Sequence, residues 1–219
     1  MFFKKQKKAQ TGVIAYLIVA GIIVFTTGIA YNWGSPMLEK STADSNIYLA
    51  QNTLKKIGVE ITKIATNGGQ SNIDFDIKGD FKIDEKTNSI YYLLEIPATM
   101  ASSKEWIPIS ASNMWGVYDT PESDTAGRLG VDEPCVLLAR STQTGDNDKY
   151  AVTFRLAFRE LDDFVAGGGT KIQLEITGNK ITSSGSHSLL IKKGEPYTSQ
   201  IESVYGGDLI IVPIQLILN

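Results

Sequence analysis

The chain has 219 residues, with 21 lysines and arginines against 24 aspartates and glutamates, for a formal charge of −3. One histidine and one cysteine exclude a zinc site by supply, and a lone cysteine excludes an internal disulfide, so stability has to come from a packed core. Setting aside the four lysines before residue 9 leaves 17 basic and 24 acidic residues, a formal −7 that speaks against nucleic acid as a partner.

Lys4, Lys5, Lys7 and Lys8 form a basic head, and no charged residue occurs from Ala9 to Met37. Val13, Ile14, Leu17, Ile18, Ile22, Phe25 and Ile29 give that run its large apolar side chains. A helix rises about 1.5 Å per residue, so roughly 20 residues cover the ~30 Å of bilayer hydrocarbon. The run is therefore predicted to be a single membrane span that meets lipid. Lysines before it and the cancelling pair Glu39 and Lys40 after it place the N-terminus in the cytoplasm and the remainder outside. Tyr31 and Trp33 fall where an interfacial aromatic belt belongs. Gly28-Ile29-Ala30 also satisfies a small-x-small cleavage pattern, which would instead release a secreted domain starting at Tyr31.

Gly34-Ser35-Pro36 either kinks one long helix or separates two. A second helical pattern spans 37–66, where Ile47, Leu54, Ile57, Ile61 and Ile64 make one apolar stripe. Asn67-Gly68-Gly69 is a helix stop. Beyond it the apolar period drops from about 3.6 to 2. Ile73 to Ile77, Phe81 to Ile83, Ile90 to Ile96, Val152 to Phe158, Ile172 to Ile176, Ser188 to Lys192 and Leu209 to Leu218 read as strands, with a hairpin loop at Asp84–Asn88. Nine or ten short strands with polar turns indicate a sandwich. The fold class is α+β: a long N-terminal hydrophobic-then-amphipathic helix, then an all-β immunoglobulin-like sandwich. In the last strand Ile210, Val212, Ile214, Leu216 and Leu218 share one face, and Pro213 points to an edge position or a bulge. A strand apolar on both faces needs cover on both, from the core, the amphipathic helix or a second subunit.

A basic head, a small residue, a glutamine and an uninterrupted apolar helix that passes into an amphipathic one resemble the archaeal type IV pilin-like proteins of the pilin and archaellin superfamily. The resemblance covers about the first 95 residues. It implies a class III signal peptide over residues 1–9, recognised around Lys8, Ala9 and Gln10 and cut between Ala9 and Gln10 by a prepilin-type peptidase. Residues 10–36 would then be the membrane and assembly helix, 37–69 its amphipathic continuation and 70–219 an extracellular sandwich. The implied partners are further copies of the chain or other pilin-like subunits, in a cell-surface filament used for adhesion, motility or uptake. The sequence departs from the family at the fifth residue of the mature chain, often glutamate there and Ile14 here; the first acidic residue is Glu39. Gly12, Ala15, Ala20, Gly21, Gly28 and Ala30 allow close helix approach.

No catalytic constellation emerges, and neither enzymatic activity nor a cofactor is expected. His187 would have to serve any serine-histidine-acid site, with Ser184, Ser186 or Ser188 as neighbours and no nucleophile-elbow context. Asp146-Asn147-Asp148, and Asp74 with Asp76, offer oxygen ligands without the spacing of a calcium loop. Ala166 to Lys171 is glycine-rich but lacks the order of a phosphate loop. Cys135 beside Val136-Leu137-Leu138 reads as a buried thiol. Trp106 and Trp115, if exposed on a sandwich edge, would stack on sugar rings. They support the alternative of a single-span, surface-anchored binding or adhesion protein that does not polymerise.

Overall fold

The computed structural model describes residues 3–97, 104–110, 126–145 and 149–219, with side chains from Val13 onward except that of Ser110. Two compact units divide the chain, Met1–Asp44 and Ser45–Asn219. Helix α1 (Phe3–Asn67) contains Pro36 within one continuous assignment. It stops where the sequence says it should. Gly68, at φ +80°, donates its N–H to the carbonyl of Ile64 at 2.8 Å. The neighbouring carbonyl of Ala65 accepts from Lys193 Nζ at 2.5 Å, so a cation sits at the negative end of the helix.

Thirteen strands follow among the described residues. In chain order they are β1 (Gln70–Ile77), β2 (Asp80–Asp84), β3 (Ser89–Pro97), β4 (Ile107–Ser110), β5 (Gly127–Arg128), β6 (Cys135–Gln143) and β7 (Lys149–Phe158). Then come β8 (Glu160–Asp162), β9 (Gly169–Gly178), β10 (Ile181–Thr182), β11 (Gly185–Lys193), β12 (Tyr197–Thr198) and β13 (Leu209–Leu218). One sheet has the order β1-β11-β13-β9-β8-β5, with β12 also beside β13; the other has β10-β2-β3-β7-β6-β4. The architecture is α+β with a β-sandwich. Most pairs are antiparallel, but β9 runs parallel to β13 and β5 parallel to β8. Alternation puts Ile73, Phe75 and Ile77 of β1 and Phe81 and Ile83 of β2 in the core. The Phe75 and Phe81 rings stand 5.2 Å apart.

The expected stripe on the helix is real. Ile47, Leu54, Ile57, Ile61 and Ile64 are all buried. Full burial of each such side chain contributes roughly 1.5–3 kcal/mol. Gly58 lies on the same contact: a Cβ there would stand 3.1 Å from Cys135 Sγ and 3.3 Å from both Leu156 methyls. The helix thus rests on β6 and β7 where a side chain is barely tolerated.

The hairpin loop between β2 and β3 joins the two sheets. Asn88, at φ +46° the one non-glycine residue in the left-handed region among those described, is buried. Its Nδ2 donates to the carbonyls of Phe158 on β7 (3.1 Å) and Ile172 on β9 (2.6 Å), and its Oδ1 accepts from Leu174 N at 2.8 Å. β8 pairs with β9 only over Gly169 to Lys171. Past that point Asn88 and Glu85, whose Oε1 accepts from Ile176 N at 2.7 Å, bond the edge of β9 that β8 leaves bare.

Pro213 corrects the expectation for the last strand. β13 is interior, between β11 and β9. Proline is accommodated because the antiparallel partner changes there: β12 pairs with Ile210 and Ile211, β11 with Ile214 to Leu218. The Pro213 carbonyl accepts from Gly194 N at 2.8 Å on that side, so the missing donor falls in the gap between partners. The buried face changes with it. Leu209 and Ile211 are buried before Pro213, and Ile214, Leu216 and Leu218 after it. Ile210, on the face that the sequence shows apolar throughout, is 44% exposed.

Asn88→Gly keeps the backbone angle and removes the three side-chain bonds, so it is expected to cost about 2–4 kcal/mol in urea unfolding of the detergent-solubilised chain. Asn88→Asp is expected to cost at least as much, since a carboxylate cannot donate to two carbonyls. Gly58→Leu should destabilise by about 1–3 kcal/mol through overpacking. Gly58→Ala should stay within about 1 kcal/mol of the parent, because improved helix propensity offsets the tight contact.

Candidate functional site

Three regions carry chemistry that the fold alone does not require. The first lies in the N-terminal unit. Val13, Ile14, Leu17, Ile18, Ile22, Phe25 and Ile29 range from 46% to 69% exposed, so no described side chain covers them. The apolar surface runs all round the helix, the pattern of a membrane span or a wholly buried helix rather than of a surface helix. Within it Thr26 donates to the carbonyl of Ile22 at 2.8 Å, so its hydroxyl needs no water. Among the described residues this is the one helix long and apolar enough to cross a membrane. Lys8, Ala9 and Gln10 lie on its first turns, and their side chains fall outside the described residues.

The second region is the seam between α1 and the sandwich. Cys135, partly buried at the start of β6, faces Gly58 and receives a hydrogen bond from Thr62. Burial pushes its thiol up to about 11, against the smaller lowering effect of the Thr62 bond. On the other flank Leu49, Asn52, Thr53 and Lys56 of α1 form a groove of about 780 Å³ with residues 73–77 of β1, Lys78 and residues 184–186. Asp74 and Asp76 line it, but each already has a partner. Asp74 accepts from Asn72 Nδ2 at 3.3 Å, and Asp76 accepts from the Ser186 hydroxyl.

The third region is the end of the sandwich reached by the starts of β9 and β13. β1 begins level with Gln215, since Gln70 pairs with Lys192 and Lys192 with Gln215. Leu209 therefore lies about six residues, roughly 20 Å, beyond that level. Here Glu160 and Asp162 share one face of β8, and both are buried. Their carboxyls touch, and each accepts a backbone N–H from the loop before β13. Val204 N reaches Glu160 Oε1 at 2.8 Å and Tyr205 N reaches Asp162 Oδ2 at 3.1 Å. Burial raises the Glu160 carboxyl to about 6; the Val204 N–H opposes this and Asp162 adds to it. Glycine is obligatory around them. A Cβ on Gly169 would fall 2.3 Å from Asp162 Oδ1, and one on Gly207 would fall 2.6 Å from Gly168 N. The glycine-rich 166–171 stretch thus serves close backbone packing, not phosphate.

Asp163 closes the adjoining turn, its Oδ1 accepting from Val165 N and Ala166 N, and the turn lifts Phe164 and Val165 outward. Phe164 lies against Tyr205 with centroids 4.2 Å apart, and the Arg128 guanidinium stands 5.3 Å from its ring centroid. Sequence reading missed this cluster. Its one local signal is the alternation Glu160-Leu161-Asp162, which looks like an exposed strand face.

The remaining candidates do not converge. His187 sits on β11, with Thr182 Oγ1 3.1 Å from its ring and Nε2 2.8 Å from the Ser183 carbonyl; no serine hydroxyl bonds it. Trp106 is partly buried, 6.4 Å from Tyr91 and under the Arg140 guanidinium at 4.5 Å. Trp115 and Asp146-Asn147-Asp148 lie outside the described residues. Among the described residues no group of three or more His, Cys, Asp or Glu side chains is placed to hold a metal ion. No family model, no curated protein and no solved structure matches the chain.

With its thiol held near 11, Cys135 carries roughly a hundredth of the thiolate of an ordinary cysteine at pH 8. Iodoacetamide labelling of the native chain at pH 8 is therefore expected to be at least about 100-fold slower than labelling in urea. The native rate should keep rising past pH 10.

Proposed function

We propose that the chain is a structural subunit, major or minor, of an archaeal type IV pilin-like filament. The bare apolar helix carries the reading: a segment apolar all round, with no cover from the described residues, calls for burial in lipid or among copies of itself. The junction Lys7-Lys8-Ala9-Gln10 just before it fits a cut that removes the basic head and keeps the helix. After that cut the helix anchors the subunit in the membrane, N-terminus inward, and on assembly packs into the filament core. The sandwich faces outward. A helix gains little from apolar contact on leaving lipid, so assembly relies on close packing at small residues such as Gly21 and Gly28, where a Cβ would meet nothing within 4 Å. Contacts between sandwiches supply the rest.

The test is the N-terminal residue of the chain isolated from envelopes and from sheared surface filaments, by intact mass and terminal peptide sequencing. The expected start is Gln10, with the chain present in the filament fraction. Ala9→Phe should leave an uncut precursor that stays in the membrane and is absent from filaments. An uncut form that incorporates normally would overturn the reading. A chain starting at Met1 and confined to the membrane would favour a surface-anchored binding protein.

A further inference from the structure

We propose that Glu160 and Asp162 form a proton-operated latch that fastens the 199–208 loop over the outer face of the β8-β9-β13 sheet, closed in acid and loosened towards neutral pH. This does not depend on whether the chain polymerises.

The geometry is that of a latch. The loop crosses from β12 to β13, and its two central N–H groups, on consecutive residues Val204 and Tyr205, each bond one of two adjacent carboxyls. Ser199 N donates to Leu209 O at 2.8 Å, and Gly206 O accepts from Gly168 N at 2.7 Å, so the loop is tied at its base and at its turn. Leu209 and Ile211 are buried on the face opposite to that of Ile214, Leu216 and Leu218. Gly169 and Lys171 pair with Leu209 and Ile211 on one side and with Asp162 and Glu160 on the other, so acids and apolar residues share this face. The loop is what lies over it.

Two carboxyls this deep cannot both be ionised without drawing in water. With one proton between them, the Glu160 O–H donates to Asp162 and both still accept from the loop. Without it, two buried like charges face each other and the loop has to lift. Among the described residues, the charged groups on neighbouring elements do not neutralise the pair. Lys171 on β9, across from Glu160, favours its ionised form less than burial and Asp162 disfavour it. Arg128 on β5, across from Asp162, has its guanidinium at the Phe164 ring. Arg159 turns to the Glu133 carbonyl, Asp163 is held by Val165 N and Ala166 N, and Asp208 and Glu202 on the loop add negative charge.

The sign follows from the raised Glu160 carboxyl, about 6 with the loop closed and near 4.5 once it is open to water. Closure is fully favoured below the lower value and weakens as pH rises through the upper one. The opening equilibrium is expected to grow roughly tenfold between pH 4.5 and 8. Opening uncovers Leu209 and Ile211 and parts Tyr205 from Phe164, so pH changes what this end of the molecule presents.

Hydrogen–deuterium exchange by mass spectrometry on the full chain in detergent tests this, with rates corrected for the intrinsic pH dependence of exchange. Peptides spanning Ser199 to Asp208 should lose about tenfold in protection from pH 4.5 to 8, while those from β3 and β7 stay unchanged. Glu160→Gln supplies a permanent donor to Asp162 and an acceptor for Val204 N, and should hold the loop at its low-pH protection throughout. Loop protection in the parent that does not vary with pH would overturn the proposal, whatever the variant does. A pH dependence of equal size in Glu160→Gln would overturn it as well.

Discussion

The sandwich depends on one buried amide. Asn88 leaves the β2–β3 hairpin in a left-handed conformation and spends both amide protons and its oxygen on backbone groups of two sheets. Few side chains can do this, because the site needs two donors and an acceptor on one planar group with no charge. The topology needs it for a reason. β9 is bonded to β13 along its full length, but β8 covers only the first three residues of its other edge. Next to those residues the edge at Ile172 to Leu174, where β9 is most buried, would otherwise be left without a backbone partner. Asn88, backed by Glu85, takes the place of the missing strand and in doing so holds β3 and β7 to β9. The Ile176 N–H, and after it Lys180 at 2.9 Å from Oε2, hold the Glu85 carboxyl below its ordinary value and so in the accepting form.

Against that frame the last turns of α1 belong to the core of the sandwich. The compact unit begins at Ser45, before the first residue of the stripe. Leu54, Ile57 and Ile61 have no exposed surface, and Gly58 brings the helix backbone down onto Cys135 and Leu156. The seam therefore disfavours any residue larger than alanine at 58 and an ionised thiol at 135. One helix serves two solvents, with its C-terminal part amphipathic against a protein core and its N-terminal part apolar on every side.

Periodicity made the helix, its stripe, its glycine stop and seven of the strands legible, because these depend on spacing within a few residues. What escaped depends on distant partners. Nothing near Asn88 distinguishes a loop asparagine from one that bonds residues 84 and 86 positions away. Pro213 pointed to an edge because an interior strand usually offers no gap for a missing donor; here β11 hands over to β12 at that residue. The same handover reverses the buried face, which no alternation rule anticipates. Glu160 and Asp162 went unnoticed because two acids on a short strand are ordinarily solvated. Their burial comes from a loop that starts nearly forty residues later in the chain.

The two chemically unusual regions make opposite demands on their surroundings. Around Val13–Ile29 the described residues provide no cover, and the energy of exposing that surface to water is of the order of 1 kcal/mol or more per large side chain. That surface fixes the kind of environment, lipid or packed helices, but not which of the two, since they are equally apolar. Small residues and contacts made by the sandwich must decide between them. Where β9 and β13 begin, the chain instead covers Leu209 and Ile211 with its own loop, and leaves Val165, Val204 and Tyr205 exposed as an apolar rim. A surface of that kind is held in place by Asp163 and the latch beneath it, so its shape is set by hydrogen bonds to carboxylates rather than by packing. Whatever contact the outward face makes there inherits the ionisation of those carboxyls, whereas contacts made by the bare helix carry no titratable group from Val13 to Ile29 except the phenol of Tyr16.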